Sequence, residues 1–183
     1  MSNLFVVSGP SGSGKSSICR QVVAKDNCVK LSISATTRAP RGEEKNGVEY
    51  FFLSVDEFEN KIENKEFYEY ARVYNNLYGT LRSHVDELLA KGNDVILEID
   101  VQGGLQIKAL NEKAKLIFIM PPSMEELIER LSGRETETEA QIKVRIGNAQ
   151  AEISEKEHYD YIVVNDKLDV AVDDVLSIIN NLR

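Results

Sequence analysis

Eight consecutive residues carry the clearest chemistry in this chain: Gly9-Pro10-Ser11-Gly12-Ser13-Gly14-Lys15-Ser16. Gly9, four residues, then Gly14-Lys15-Ser16 is the spacing of a phosphate-binding loop. Glycines let the backbone turn its N–H groups onto phosphate oxygens, and a following helix aims its positive end at the same place. Lys15 would neutralise β- and γ-phosphates, and Ser16 would offer a hydroxyl to Mg²⁺. The loop implies a nucleoside triphosphate and leaves the acceptor open.

Four further groups could do chemistry. Ser34-Ala35-Thr36-Thr37-Arg38-Ala39-Pro40-Arg41 sets two arginines three apart among hydroxyls, and arginine's planar fork suits a second phosphate. Tyr50, Tyr68, Tyr70, Tyr74 and Tyr78 gather around Glu49 and Glu69, with Tyr50 and Tyr78 expected on a ligand and Phe51 and Phe67 in a small core. Glu98 and Asp100 close an apolar run; two apart on a strand, they would share a face, where they could orient Mg²⁺ waters or read a base. Arg130, Arg134 and Arg145 flank a polar stretch, residues 132–139, that reads as a mobile lid with a phosphate clamp.

The elements that must hold these groups are legible as patterns. Leu4–Val7, Val95–Ile99, Leu116–Met120 and Tyr161–Val164 are apolar without alternation, as in parallel strands covered on both faces. Helical patterns lie between them, which predicts an α/β fold with ligands at the carboxyl ends of the strands. Ser54-x-x-Glu57, Ser123-x-x-Glu126 and Thr138-x-x-Gln141 fit capping boxes. Ile142, Ile146, Ala149 and Ile153 share one side of the helix after Thr138. The segment from Ser32 to about Tyr78 breaks the alternation and reads as an inserted lobe with a helix over Val55–Asn64.

Composition sets bounds on function. The 183 residues suit one domain, and a formal net charge of −8 argues against a nucleic-acid-coating surface. No signal peptide or bilayer-length apolar run is visible, so a cytoplasmic setting without membrane association is expected. Cys19 and Cys28 are too isolated for a disulfide framework or zinc site, Cys19 being expected in the core. His84 and His158 stand in no metal-ligand spacing.

Taken together, the loop Gly9–Ser17, Ser34–Arg41, Asn46–Tyr50, Phe67–Ala71, Tyr78-Gly79-Thr80, Glu98–Gly103, Arg130–Arg134 and Val163–Asp166 resemble guanylate kinases in motif and in order. The resemblance runs from Phe5 to about Leu168. It implies a P-loop NTPase core with a parallel sheet flanked by helices (1–33, 81–131 and 159–183), a GMP-binding lobe (34–80) and a helical lid (132–158). It implies Mg²⁺-dependent transfer of the γ-phosphate of ATP to GMP, with dGMP as a further acceptor, in purine nucleotide metabolism. Ser17 and Asn165 would join the loop residues on ATP, Asn165 near the adenine. Arg38, Arg41, Glu44, Tyr50 and Tyr78 would surround the GMP phosphate, and Ser34, Glu69, Thr80 and Asp100 would read guanine. Lys15, Arg38, Arg130, Arg134 and Arg145 would act on the transferring phosphate, Ser16 on Mg²⁺, and Asp100 on Mg²⁺ through water. No nucleic acid, membrane or obligate protein partner is implied.

Two positions depart from the usual pattern: Val101, where many bacterial members carry a larger side chain, and Glu135, where glycine is common. Two other readings compete. A kinase of the same architecture could use AMP, a pyrimidine monophosphate or a ribose phosphate, which Ser34 and Glu69 disfavour. A peptide-binding module of the scaffold-protein kind would have a degraded loop, whereas Lys15 and Ser16 are intact.

Overall fold

Leu4–Ser8 forms strand β1, buried along its whole length because both faces of the sheet around it are covered. The computed structural model describes residues 2–73, 75–132 and 139–183, with only the backbone of residues 139–141. After β1 come α1 (Lys15–Lys25), β2 (Val29–Leu31), β3 (Ala35–Thr36), β4 (Phe51–Phe52), α2 (Val55–Glu63), β5 (Phe67–Val73) and β6 (Asn76–Leu81). Then follow α3 (Arg82–Ala90), β7 (Asp94–Glu98), α4 (Val101–Leu110), β8 (Lys115–Met120), α5 (Met124–Ser132), α6 (Glu139–Ser154), β9 (Tyr161–Val164) and α7 (Leu168–Asn181).

The main sheet is parallel, in the order β2-β7-β1-β8-β9. Alternate residues of β1 serve two cores. Phe5 and Val7 meet Ile18, Cys19 and Val22 of α1 and Val172, Val175 and Ile179 of α7. Leu4 and Val6 meet Val85 of α3, Ile107 of α4 and Phe118 of β8. Two apolar faces explain why the strand sequence does not alternate. The four anticipated strands appear within a residue of their expected ends.

A second sheet, β4-β3-β6-β5, occupies the segment expected as an inserted lobe. Its core is Ala35, Phe58, Phe67, Leu77 and Leu81, with Phe51 packed alongside. Phe58 and Phe67 stack at 4.4 Å between ring centroids. The Ser54 capping box closes in both directions at the start of α2. Ser123 accepts from the Glu126 N–H at 3.1 Å, but the Glu126 carboxylate turns to Arg130 at 3.2 Å. Ile146, Ala149 and Ile153 of α6 pack on Leu127 and Leu131 of α5, as their spacing requires. Tyr74, Arg134, Glu135 and the Thr138 cap lie outside the described residues. Among the described residues no helix is long and apolar enough to cross a membrane.

Candidate active site

The chain leaves β1 directly into the glycine-rich loop, at the carboxyl end of the central strand. Gly9, Gly12 and Gly14 have φ of 146°, 86° and 93°, backbone that side chains with a Cβ rarely adopt. At Gly9 the sterics are decisive, since an added Cβ would lie 2.2 Å from the Ile119 carbonyl oxygen. Lys15 opens α1 and folds its ammonium back onto the Gly9 oxygen at 2.6 Å. Burial lowers the Lys15 pKa, against the opposing pull of Glu98 and Glu152. Ser11, Gly12, Gly14, Lys15, Ser16, Ser17 and Arg130 line a cleft of about 380 Å³. Pro10 and Ser13 are buried behind it.

The expectation for Glu98 and Asp100 needs correction. Strand β7 ends at Glu98, and Asp100 is the N-cap of α4, its carboxylate accepting from the Gly103 N–H at 2.7 Å. Strand alternation therefore does not relate the two side chains. The helix needs an acceptor for its first N–H groups, and a short aspartate after a strand supplies it. Glu98 instead accepts the Ser16 hydroxyl. Both acids still line one cavity of about 200 Å³, together with Ser34, Tyr50, Glu69 and Tyr78.

Glu69 sits on β5 opposite Thr80 of β6, where the register shifts after Phe67. Its carboxylate accepts the Thr80 hydroxyl at 2.6 Å and is 8% exposed. Burial pushes the Glu69 pKa up to about 7, with Asp100 adding to the rise and Thr80 opposing it. Thr80 thus holds the carboxylate in place. Gly103 makes room for it, since a Cβ there would lie 3.1 Å from Glu69 Oε2.

Arg38 gathers several of the residues expected around the acceptor phosphate. It donates to Glu44 Oε1 at 3.0 Å and lies 5.3 Å from the centre of the Tyr50 ring. Glu44 also accepts the Arg41 N–H at 2.8 Å, which ties down the turn that carries exposed Arg41. Ser34, Glu44, Tyr50, Glu98, Ser16 and Arg20 line an intermediate cleft of about 470 Å³. Ser16 borders this cleft and the loop cleft, while Ser34, Tyr50 and Glu98 border this one and the Glu69 cavity. The three spaces therefore form a path from the loop to Glu69.

Arg130 lies on α5 and donates to the Asn165 carbonyl at 3.2 Å. Asn165, just after β9, is buried and donates its side-chain N–H to the Ser13 carbonyl at 2.8 Å. Arg145 is partly buried on α6. Three residues escaped the sequence reasoning. Arg20, one turn after Ser16, needed only the helical period to be placed beside the intermediate cleft. Glu152 lies two turns after Arg145; burial raises its pKa, against the opposing pull of Lys15 and the Ser11 backbone. Gly103 stood in the Glu98–Gly103 motif without a role of its own, because that role exists only against Glu69.

Comparison with known proteins accounts for the arrangement. The guanylate kinase family model matches residues 1–182. A guanylate kinase of Fusobacterium nucleatum is 48% identical over 97% of this chain and 96% of its own. One from Thermotoga maritima is 46% identical over 98% of this chain and 87% of its own. The crystal structure of guanylate kinase from Anaplasma phagocytophilum superposes with a TM-score of 0.77 at 32% identity, covering 98% of this chain and 85% of that one. With the family model matched over residues 1–182 and such relatives over nearly its whole length, this chain belongs to the guanylate kinase family.

Proposed function

We propose that this protein transfers the γ-phosphoryl group of ATP to GMP, giving ADP and GDP, and that residues 34–80 hold GMP, residues 132–158 act as a lid and the remainder is the core. One observation carries the reading: the loop cleft meets the intermediate cleft at Ser16, and Glu98, which accepts the Ser16 hydroxyl, joins that cleft to the Glu69 cavity. A triphosphate on the loop and a monophosphate between Arg38 and Tyr50 would face each other there. Phosphoryl transfer needs alignment and cancellation of charge rather than a protein nucleophile. Lys15 and Arg130 stand on the donor side, and Arg38, Tyr50 and Tyr78 on the acceptor side.

Glu69 supports guanine as the base. Its ionised carboxylate can accept both the N1–H and the N2 amino group, whereas adenine presents an unpaired acceptor at N1. A site built on such hydrogen bonds rejects a mismatched ligand by ~10⁴–10⁵. Ser34 and Asp100 border the same cavity and would complete the reading of the base. Mg²⁺ fits the pair Ser16 and Glu98, since it takes one or two hard oxygen ligands from protein and the rest from water and phosphate. When bound it would neutralise charge on the β- and γ-oxygens. Acceptance of dGMP and a cytoplasmic setting belong to the same proposal and follow from the family resemblance.

The test is ADP release from Mg·ATP with GMP, AMP, UMP, CMP and dTMP offered separately. Fast release with GMP alone supports the whole reading. Release with another acceptor would keep the phosphate loop and overturn the role of Glu69.

A further inference from the structure

Gly14 leaves the Ser13–Gly14 peptide little intrinsic reason to face one way. It lies in the left-handed region at φ 93°, so the peptide's bond on that side turns without meeting a Cβ. Yet the direction of this peptide decides what the cleft presents. The C=O and N–H of a trans peptide point to opposite sides of one plane. With the Ser13 carbonyl turned inward, the Gly14 N–H points outward. With the peptide turned over, a carbonyl oxygen would face the phosphates.

Asn165 holds the Ser13 carbonyl inward. Its Nδ2 donates to that oxygen at 2.8 Å, and the residue is 6% exposed. Asn165 is itself fixed at both backbone ends. Its N–H donates to the Met120 carbonyl at the end of β8, and its carbonyl accepts from Arg130. Nδ2 also fills the space beside Gly14, where an added Cβ would lie 2.2 Å from it. The side chain therefore packs directly against the loop backbone.

We propose that Asn165 is a positioning residue of the phosphate loop, fixing the Ser13–Gly14 peptide so that the loop binds any triphosphate, whatever base it carries. Which triphosphate that is rests on the functional reading above.

The test uses titration calorimetry of the wild type, Asn165→Asp and Asn165→Ala with Mg·ATP, Mg·tripolyphosphate and GMP. Asn165→Asp keeps the volume and removes the donor, so it covers the case in which the alanine variant does not fold. Loss of the bond should weaken ATP and tripolyphosphate by the same factor, about tenfold, and leave GMP unchanged. Relative to wild type, Asn165→Asp should recover towards pH 5, where a protonated carboxyl can donate again. Weakened ATP with unchanged tripolyphosphate would make Asn165 a base contact and overturn the proposal. So would unchanged affinity for both, or an equal loss for GMP. A wild type that binds tripolyphosphate but never phosphorylates GMP would sink the functional reading and leave this one standing.

Discussion

The phosphate loop and the lobe that carries Glu69 are built on opposite plans. The loop is one unbroken stretch, Gly9–Ser16, whose glycine conformations and following helix are local properties. The lobe site is assembled from Ser34, Tyr50, Glu69 and Tyr78, with Asp100 arriving from the main sheet's side. The loop offers backbone N–H groups that any triphosphate can use. On the proposed reading, the lobe offers side chains whose hydrogen-bond pattern suits one base. A generic donor and a selective acceptor thus need different amounts of tertiary structure.

The largest expected break falls on the loop. Lys15→Ala should lower kcat by about 10³ with little change in thermal stability, since one preorganised charge on a transferring phosphate is removed. A variant with wild-type turnover would show that the ammonium held on the Gly9 carbonyl never reaches the phosphates.

Backbone strain separates the two regions next. Gly9→Ala should destabilise by about 3 kcal/mol, because its Cβ would meet the Ile119 carbonyl in a conformation that already disfavours side chains. Gly42→Ala in the lobe, also at positive φ but with nothing within 4 Å, should cost only about 1 kcal/mol. Denaturant unfolding of the pair checks the difference, and equal losses would mean that conformation alone, without the carbonyl contact, sets the cost.

Glu69→Gln should weaken GMP about 10–100-fold while sparing ATP, since one charge-assisted acceptor becomes a donor that faces the base N–H groups. Parallel loss for both nucleotides would make Glu69 a fold residue. The same carboxyl gives the lobe a pH dependence of its own. Its pKa is raised by burial to about 7, so the folded state favours the protonated form. Its contribution to stability is present below the ordinary value of 4.5 and is lost as pH rises through about 7. GMP needs the ionised form, so KM for GMP should fall about tenfold from pH 6 to pH 8. Glu69→Gln should flatten that profile relative to wild type.

The smallest effect is expected at Arg38. Glu44→Gln removes a partner that is itself solvent-accessible, so KM for GMP should rise only about threefold. A larger loss in steady-state kinetics would mean that Glu44 sets the geometry of Arg38 and Tyr50 together.

Much of this was legible in order along the chain. The continuous apolar runs of β1, β7, β8 and β9 announce a sheet covered on both faces, and Gly9–Ser16 announces its ligand. Ser54 and Glu57 announce their helix, because capping acts over three residues. Asp100 misled, since the same Glu-Ile-Asp run can continue a strand or start a helix, and only the N-H groups of α4 decide. Glu152, whose charge acts on Lys15, was silent, as nothing in a helical repeat says which carboxylate will face a loop more than a hundred residues away.

What the sequence determined alone was short-range: backbone freedom at glycines, helix caps, strand periodicity and the presence of Lys15 and Ser16 behind them. Each depends on neighbours a few residues apart. Only the tertiary structure decided which groups meet: Ser16 with Glu98, Glu69 with Thr80 and Gly103, Asn165 with the Ser13 carbonyl. Those meetings require packed strands to bring distant segments within hydrogen-bond reach, and burial then changes the chemistry of the groups. A carboxyl that titrates near 7 is a property of Glu69 in its cavity, not of glutamate in the chain.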